Sequence, residues 1–309
     1  MIRMYKFKEI LLLKNINGVG KVKIYKNYWE MLTQSKDLDD LVDLMDAQAD
    51  FSRKILEMAR EDAEETYNSI IDSDIHVITV FDEEYPEKLN VMGNKRPLIL
   101  YVKGNVEALT KPNIAVIGTR KPSDLSKSFE ENLVKHIVNS SERVIVSGLA
   151  LGCDKIAHKA TVDENKPTIA ILPSGVNVIT PASNKKLAEM IIETGGCLVS
   201  EYNINAKAFK GTYVERDSVV AAFSDALFVV ECGVKSGTMH TVDAASNFKR
   251  DIYTYLPAER PKSFDGNEFI IENMGNAIPV DDIDEFLVDL NNLKTKNDVK
   301  SGQSTLFDY

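Results

Sequence analysis

Residues 113–123 read NIAVIGTRKPS, and this stretch decides the fold. Four apolar residues, Ile114 to Ile117, run straight into Gly118, and Thr119, Arg120, Lys121 and Pro122 follow at once. A short apolar run without polar alternation fits a strand buried on both faces, as in a parallel sheet between two helical layers. A buried strand that ends in glycine and cations is also a place where an anion can dock.

The same pattern repeats downstream. RVIVSG, PTIAIL, CLVSEY, ALFVVE and DIYTYL read as strands, and between them LSKSFEENLVKHIVNS, DKIAHKATV, NKKLAEMIIETG, RDSVVAAFS and GTMHTVDAASNF read as helices. Strands alternating with helices predict a doubly wound α/β fold with a mainly parallel sheet over 113–260. Right-handed crossovers then bring every strand's carboxyl end to one edge. Upstream, HVITVF (76–81) and a Pro-framed strand at 98–102 lead in, and the first 75 residues carry apolar positions at helical spacing. The expected division is a helical domain over 1–75, a core over 76–285 with lead-in strands in 76–112, and a flexible polar tail over 286–309.

The net charge of −10 argues against a globally basic nucleic-acid binder, but the charge is unevenly spread. Residues 1–35 carry seven Lys/Arg against two Glu, whereas 36–112 carry nine basic against eighteen acidic residues. The stretch 113–280 is nearly balanced, so localised phosphate binding is permitted. No run of about 18 apolar residues occurs, and the charged opening MIRMYKFKEI is unlike a signal peptide. Cys153, Cys197 and Cys232 are odd in number and lie far apart in apolar surroundings, as structural thiols of a reducing cytoplasm do.

The glycines stand where a ligand would need them. VIGTR, VSGLALGCD, LPSGVN and VECGVKSGT each follow a strand, which places Gly118, Gly148, Gly175 and Gly237 on one crevice. Gly118-Thr119-Arg120 lacks the further glycines of a dinucleotide fingerprint, and no P-loop occurs, so no nucleotide cofactor is expected. No metal-ligand spacing is present either. Asp154 and His158, four apart, are either an acid/base pair or a helix cap and a wall histidine. Glu201 and Glu231 end strands and could orient backbone amides, a ribose or a base edge. NINGVG, with Lys21, Lys23 and Lys26 behind it, is similar to a helix-hairpin-helix whose turn amides approach a phosphate; a plain inter-helix turn is the other reading.

The order of these motifs resembles one family, DprA, also called Smf, over residues 8–280. The resemblance is carried by LLLKNINGVGKVKI, EEYPEKLNVMGNKRPLILYVKGN, AVIGTRKPS, IVSGLALGCDKIAHKAT, TIAILPSGVNVITPASNKKLAEMI, RDSVVAAFSDALFVVE and SGTMHTVDAASNFKRDIY. It implies an extended Rossmann-like core behind a small helical domain. It also implies a cytoplasmic, non-enzymatic protein that binds single-stranded DNA, often as a homodimer, and helps load a RecA-type recombinase in DNA uptake and recombination. Carried over by position, Arg120, Ser147, Gly148, Gly152, Asn184, Lys185, Arg216, Ser236, Gly237 and Thr238 match the family's glycine loops and basic segments. Three departures stand out. The usual Arg-Asn-Arg is here Arg216-Asp217-Ser218, a common Tyr-Pro is Thr180-Pro181, and nothing matches the winged helix that many members carry. The alternative function is a nucleotide sensor or a nucleotide-cleaving phosphoribohydrolase. VKSGTMHTV lacks the glutamate that such enzymes place there. In the tail, Gln303, Leu306 and Phe307 of GQSTLFDY resemble the Gln-x-x-Leu-Phe peptide that docks on the replicative sliding clamp.

Overall fold

Alternate residues of the deciding strand do part to opposite faces. In the computed structural model, which describes residues 6–293, Asn113–Ile117 forms β3. Its Ile114 and Val116 pack in one apolar cluster and Ala115 and Ile117 in another. Before β3 come β1 (Ile75–Thr79) and β2 (Ile99–Gly104); after it come β4 (Val144–Ser147), β5 (Thr168–Ile171), β6 (Cys197–Ser200), β7 (Ala226–Val229), β8 (Asp251–Tyr255) and β9 (Ala277–Val280). They form a nine-stranded sheet in the order β1-β2-β6-β5-β4-β3-β7-β8-β9. From β6 to β9 all pairs are parallel, and β2 is antiparallel to both β1 and β6.

The chain winds one way from β3 through β4 and β5 to β6, then the other way from β7 through β8 to β9. The order therefore reverses between β3 and β7, which pair through Ala115–Leu227 and Ile117–Val229. Helix N-termini on opposite faces part at such a point and leave a crevice beyond the strand ends.

The first five helices are α1 (Phe7–Asn15), α2 (Lys21–Lys23), α3 (Trp29–Gln34), α4 (Leu38–Ala47) and α5 (Arg53–Ile71), with a π-helical turn, Ile24–Tyr28, joining α2 to α3. Their apolar faces do not close on themselves. Phe7, Leu12, Leu41 and Leu56 belong to the same cluster as Tyr101, Leu149, Leu172 and Leu198 of the sheet region. Helices α6 (Asp124–Ser140) and α7 (Cys153–Asp163) continue this layer over the middle of the sheet, and α8 (Lys185–Glu193) packs on β5 and β6. The opposite face is covered by α9 (Lys210–Phe223), α10 (Thr238–Asn247) and α11 (Asp265–Asn273).

Two features differ from the sequence reading. Strand β9 and helix α11 extend the α/β alternation beyond residue 260. The expected polar tail from 286 instead begins inside a helix, α12 (Ile283–Asn292). The Asp282 carboxylate accepts from the Glu285 amide to cap it, and Phe286, Leu287 and Leu290 bury one stripe against the sheet. Arg143 fixes its far end by donating to the Leu290 and Leu293 carbonyls at 3.1 and 3.2 Å. Gln303, Leu306 and Phe307 lie outside the described residues. Among the described residues, no helix is long and apolar enough to cross a membrane.

Candidate functional site

The reversal point opens into a crevice of about 650 Å³ at the carboxyl ends of β3, β4 and β7. Gly118, Thr119 and Arg120 form one wall, Gly148, Ala150 and Asp154 another, and Ser236, Gly237, Thr238 and His240 the third. Helix α9 closes the fourth side with Lys210, Tyr213, Val214, Arg216 and Asp217. Three of the four expected crevice glycines thus meet. Gly175 does not: its amide donates to Ala206 and the 203–206 loop packs directly on it.

The glycines also serve internal packing. A β-carbon on Gly148 would overlap the guanidinium of Arg216, and one on Gly152 would overlap the Thr119 carbonyl and the Arg120 backbone. Gly152 also adopts φ 75°, which an L side chain tolerates poorly. The second and first glycine loops therefore interlock, and Cys153 donates its amide to the Thr119 carbonyl at 3.1 Å.

Arg216 departs most from expectation. The sequence reading begins its helix near 216 and carries Arg216 over as one of the family's DNA-facing basic positions; α9 starts six residues earlier and Arg216 is only 6% exposed. Its Nη1 donates to the Gly148 carbonyl at 2.5 Å and the Ile171 carbonyl at 3.0 Å, while Nε reaches Asp217 Oδ1 at 3.0 Å. It is the brace of the crevice floor. The early start of α9 was hidden because a buried arginine interrupts the stripe Thr212, Val219, Val220 and Phe223. Consequently Lys210, Tyr213 and Val214 escaped the reading. Lys210 and Arg120 are the exposed cations of this wall and its neighbour, and the Arg120 guanidinium lies 5.8 Å from the Tyr213 ring centre.

Carboxylates lie below these cations. Burial raises the Asp154 carboxyl above its ordinary range, with Arg216 opposing, and one oxygen accepts from the Ala150 amide at 3.2 Å. Asp154 therefore ties the preceding loop and does not cap α7. Burial raises Asp217 as well, against the pull of Arg216 and with the push of Asp154. His158 is fully buried, shares a hydrogen bond with Thr168 Oγ1 at 2.8 Å, and is pushed down to about 3 by burial and then by Arg216. Asp154 and His158 hold different partners and form no pair.

Other expected contacts hold the scaffold. Ser147 donates to the Val116 carbonyl at 2.7 Å, and Asn184 donates to the Leu149 and Ala150 carbonyls at 2.9 and 3.2 Å. Lys121 and Lys185 are exposed outside the crevice lining, whereas Thr238 bonds the Gly118 carbonyl at 3.1 Å. The Glu231 carboxylate accepts from the Ser123 amide and hydroxyl, both at 2.8 Å, so it positions the start of α6. Burial alone would raise its carboxyl; bonds from Ser126, Ser123 and Ser263 bring it below the ordinary range. Glu201 lies outside the crevice. It takes Lys21 at 2.6 Å, and Lys21 also reaches Glu215 at 3.4 Å, so this hairpin lysine is bound internally. The NINGVG segment does join two helices through Gly18 at φ 80°.

The profile of DNA recombination-mediator protein A matches residues 76–291. Among curated proteins, Protein Smf of Borreliella burgdorferi is 28% identical over 79% of this chain and 76% of its own length. Protein Smf of Synechocystis is 33% identical over 57% of this chain, and the matched region spans only 45% of that relative. The crystal structure of DNA processing protein A from Streptococcus pneumoniae superposes with a TM-score of 0.76 at 26% identity, covering 92% of this chain and 98% of that one. The protein from Helicobacter pylori, whose single-stranded DNA binding mode was the subject of its structure, gives 0.64 at 27% identity over 72% of this chain and 97% of that one. With a profile that spans the whole sheet and a matching Rossmann-like architecture, the chain belongs to the DNA recombination-mediator protein A family, the DprA/Smf proteins.

Proposed function

We propose that the crevice binds single-stranded DNA and that the protein hands the strand to a RecA-type recombinase in DNA uptake and recombination. The observation that carries this reading is the rim, where the aromatic Tyr213 lies 5.8 Å from the exposed Arg120 guanidinium and shares its helix with the exposed Lys210. Cations that track a backbone beside a ring on which a base can stack are the common chemistry of single-strand binding. Exposed Phe209, next to Lys210, adds a second ring beside this wall. The DNA-binding mode described for the Helicobacter pylori relative supports the assignment. A binding role fits a floor whose ionisable groups are committed to holding loops, and we assign no catalytic residue. We further propose a cytoplasmic homodimer, with Gln303, Leu306 and Phe307 as a sliding-clamp peptide.

The test is a titration of labelled single strands, duplexes and mononucleotides in parallel. Single strands should bind more tightly than duplex, and Arg120→Glu should weaken all oligonucleotides alike. Mononucleotide binding with no oligonucleotide binding at any salt would replace this reading with the nucleotide sensor.

A further inference from the structure

Asp217 is an unusual group to find in a site for a polyanion. It stands on the crevice side of α9 with its side chain 17% exposed. Its Oδ1 is held by Arg216 Nε at 3.0 Å, and no described residue hydrogen-bonds to Oδ2. Arg216 is in turn held by the Gly148 and Ile171 carbonyls, so the donor that holds Asp217 is itself fixed in the floor. The exposed cations Arg120 and Lys210 are elsewhere in the same crevice. Phosphates and a fixed acceptor are thereby given separate places.

A fixed carboxylate near stacked bases recognises hydrogen-bond donors. Of the four DNA bases only guanine presents two adjacent donors, N1–H and N2–H, on its Watson–Crick edge. Adenine and cytosine present one donor beside an acceptor, and thymine presents one donor between two carbonyls that repel a carboxylate. Each carboxylate oxygen has lone pairs for more than one bond, so Oδ1 can serve Arg216 and a base together. That edge is free only in an unpaired strand.

We propose that Asp217 gives this crevice a preference for guanine in single-stranded DNA, read bidentately through N1–H and N2–H. The inference rests on the single-strand reading above and adds base selectivity to it.

The experiment compares heptathymidylate with the same oligonucleotide carrying guanine, hypoxanthine, adenine or cytosine at the centre, on the intact protein and on Asp217→Asn, with melting curves for both. A bidentate base contact discriminates by about fivefold or more. The guanine oligonucleotide should therefore bind at least about fivefold more tightly than the all-thymine strand. Hypoxanthine, which lacks the N2 amino group, should lose most of that gain. Asp217→Asn should bind the all-thymine strand at least as tightly as the parent, because a repelling charge is removed, and should lose the preference, because an amide offers one acceptor and sets a donor against the other. Equal affinity for all five oligonucleotides overturns the inference and leaves single-strand binding intact. A preference that persists in a folded Asp217→Asn protein overturns it as well. Failure to bind any oligonucleotide overturns the single-strand reading, and guanine selection with it.

Discussion

Arg216 occupies the volume that a side chain on Gly148 would need, and its Nη1 donates to the carbonyl of that same glycine. The pair is a lock between α9 and the end of β4. Gly148→Ala should destabilise the protein by about 1–3 kcal/mol through overpacking and weaken DNA binding with it. Arg216→Ala should also destabilise, because it strands two buried carbonyls. The two losses should combine less than additively in the double variant, since the second change relieves the overlap made by the first. Urea unfolding of all four proteins checks this, and strict additivity would contradict the lock.

Salt dependence should identify the cations that face the strand. On single strands each phosphate contact contributes roughly 0.7 to the slope of log affinity against log salt. Arg120→Ala and Lys210→Ala should each flatten the slope by about that amount. Lys185→Ala, outside the crevice lining, should leave it unchanged.

Ser218 lies one helical turn beyond Val214 of the rim, and its hydroxyl donates to that residue's carbonyl at 3.3 Å. Ser218→Arg should tighten single-strand binding and steepen the salt slope by roughly 0.7, one added contact. A variant that gains no affinity at any salt would shift the ligand toward a free nucleotide.

His158 sets an acid limit. Its folded pKa is pushed down to about 3 by burial and then by Arg216, against an ordinary value near 6.5. Between these values the unfolded chain binds a proton that the folded one refuses. The histidine's contribution to stability is therefore complete above about pH 6.5 and falls as the pH drops toward 3, by up to about 1.4 kcal/mol per unit. His158→Gln should flatten this acid limb relative to the parent. Parallel stability curves from pH 7.5 to 4.5 would show that His158 is not responsible.

Lys21 distinguishes a scaffold hairpin from a phosphate-binding one. Its ion pair with Glu201 is largely shielded, with side chains 20% and 9% exposed. Lys21→Met should cost roughly 2 kcal/mol, less than the 3–5 kcal/mol of a fully buried pair because Lys21 keeps some solvent. The salt slope of DNA binding should not change. A flatter slope with unaltered stability would make this lysine a DNA contact.

Much of the fold is legible in the sequence because buried parallel strands announce themselves locally. NIAVI, RVIVS and ALFVV each carry their own apolar run and their own terminal turn. The crevice was legible for the same reason, through Gly118, Gly148 and Gly237. What stayed hidden depends on partners distant in the chain. Gly175 resembles the other loop glycines, yet the segment 203–206 covers it. Arg216 reads as a DNA-facing cation until the Gly148 and Ile171 carbonyls are brought to it. Lys210 and Tyr213 went unnoticed because the same buried arginine masks the periodicity of α9. Helix α12 reads as tail because only three of its ten residues are buried apolar groups and five are Asp, Glu or Asn.

The apolar cluster shared by the first five helices and the sheet bears on how the protein is made. Phe7 packs edge-on against Tyr101, with ring centres 6.1 Å apart, and the cluster extends as far as Ile204. When the first helices leave the ribosome, the sheet residues that will cover them have not been synthesised. The nascent bundle must wait with its apolar stripe exposed until β6 has emerged, so its final packing comes late in synthesis although its residues come first.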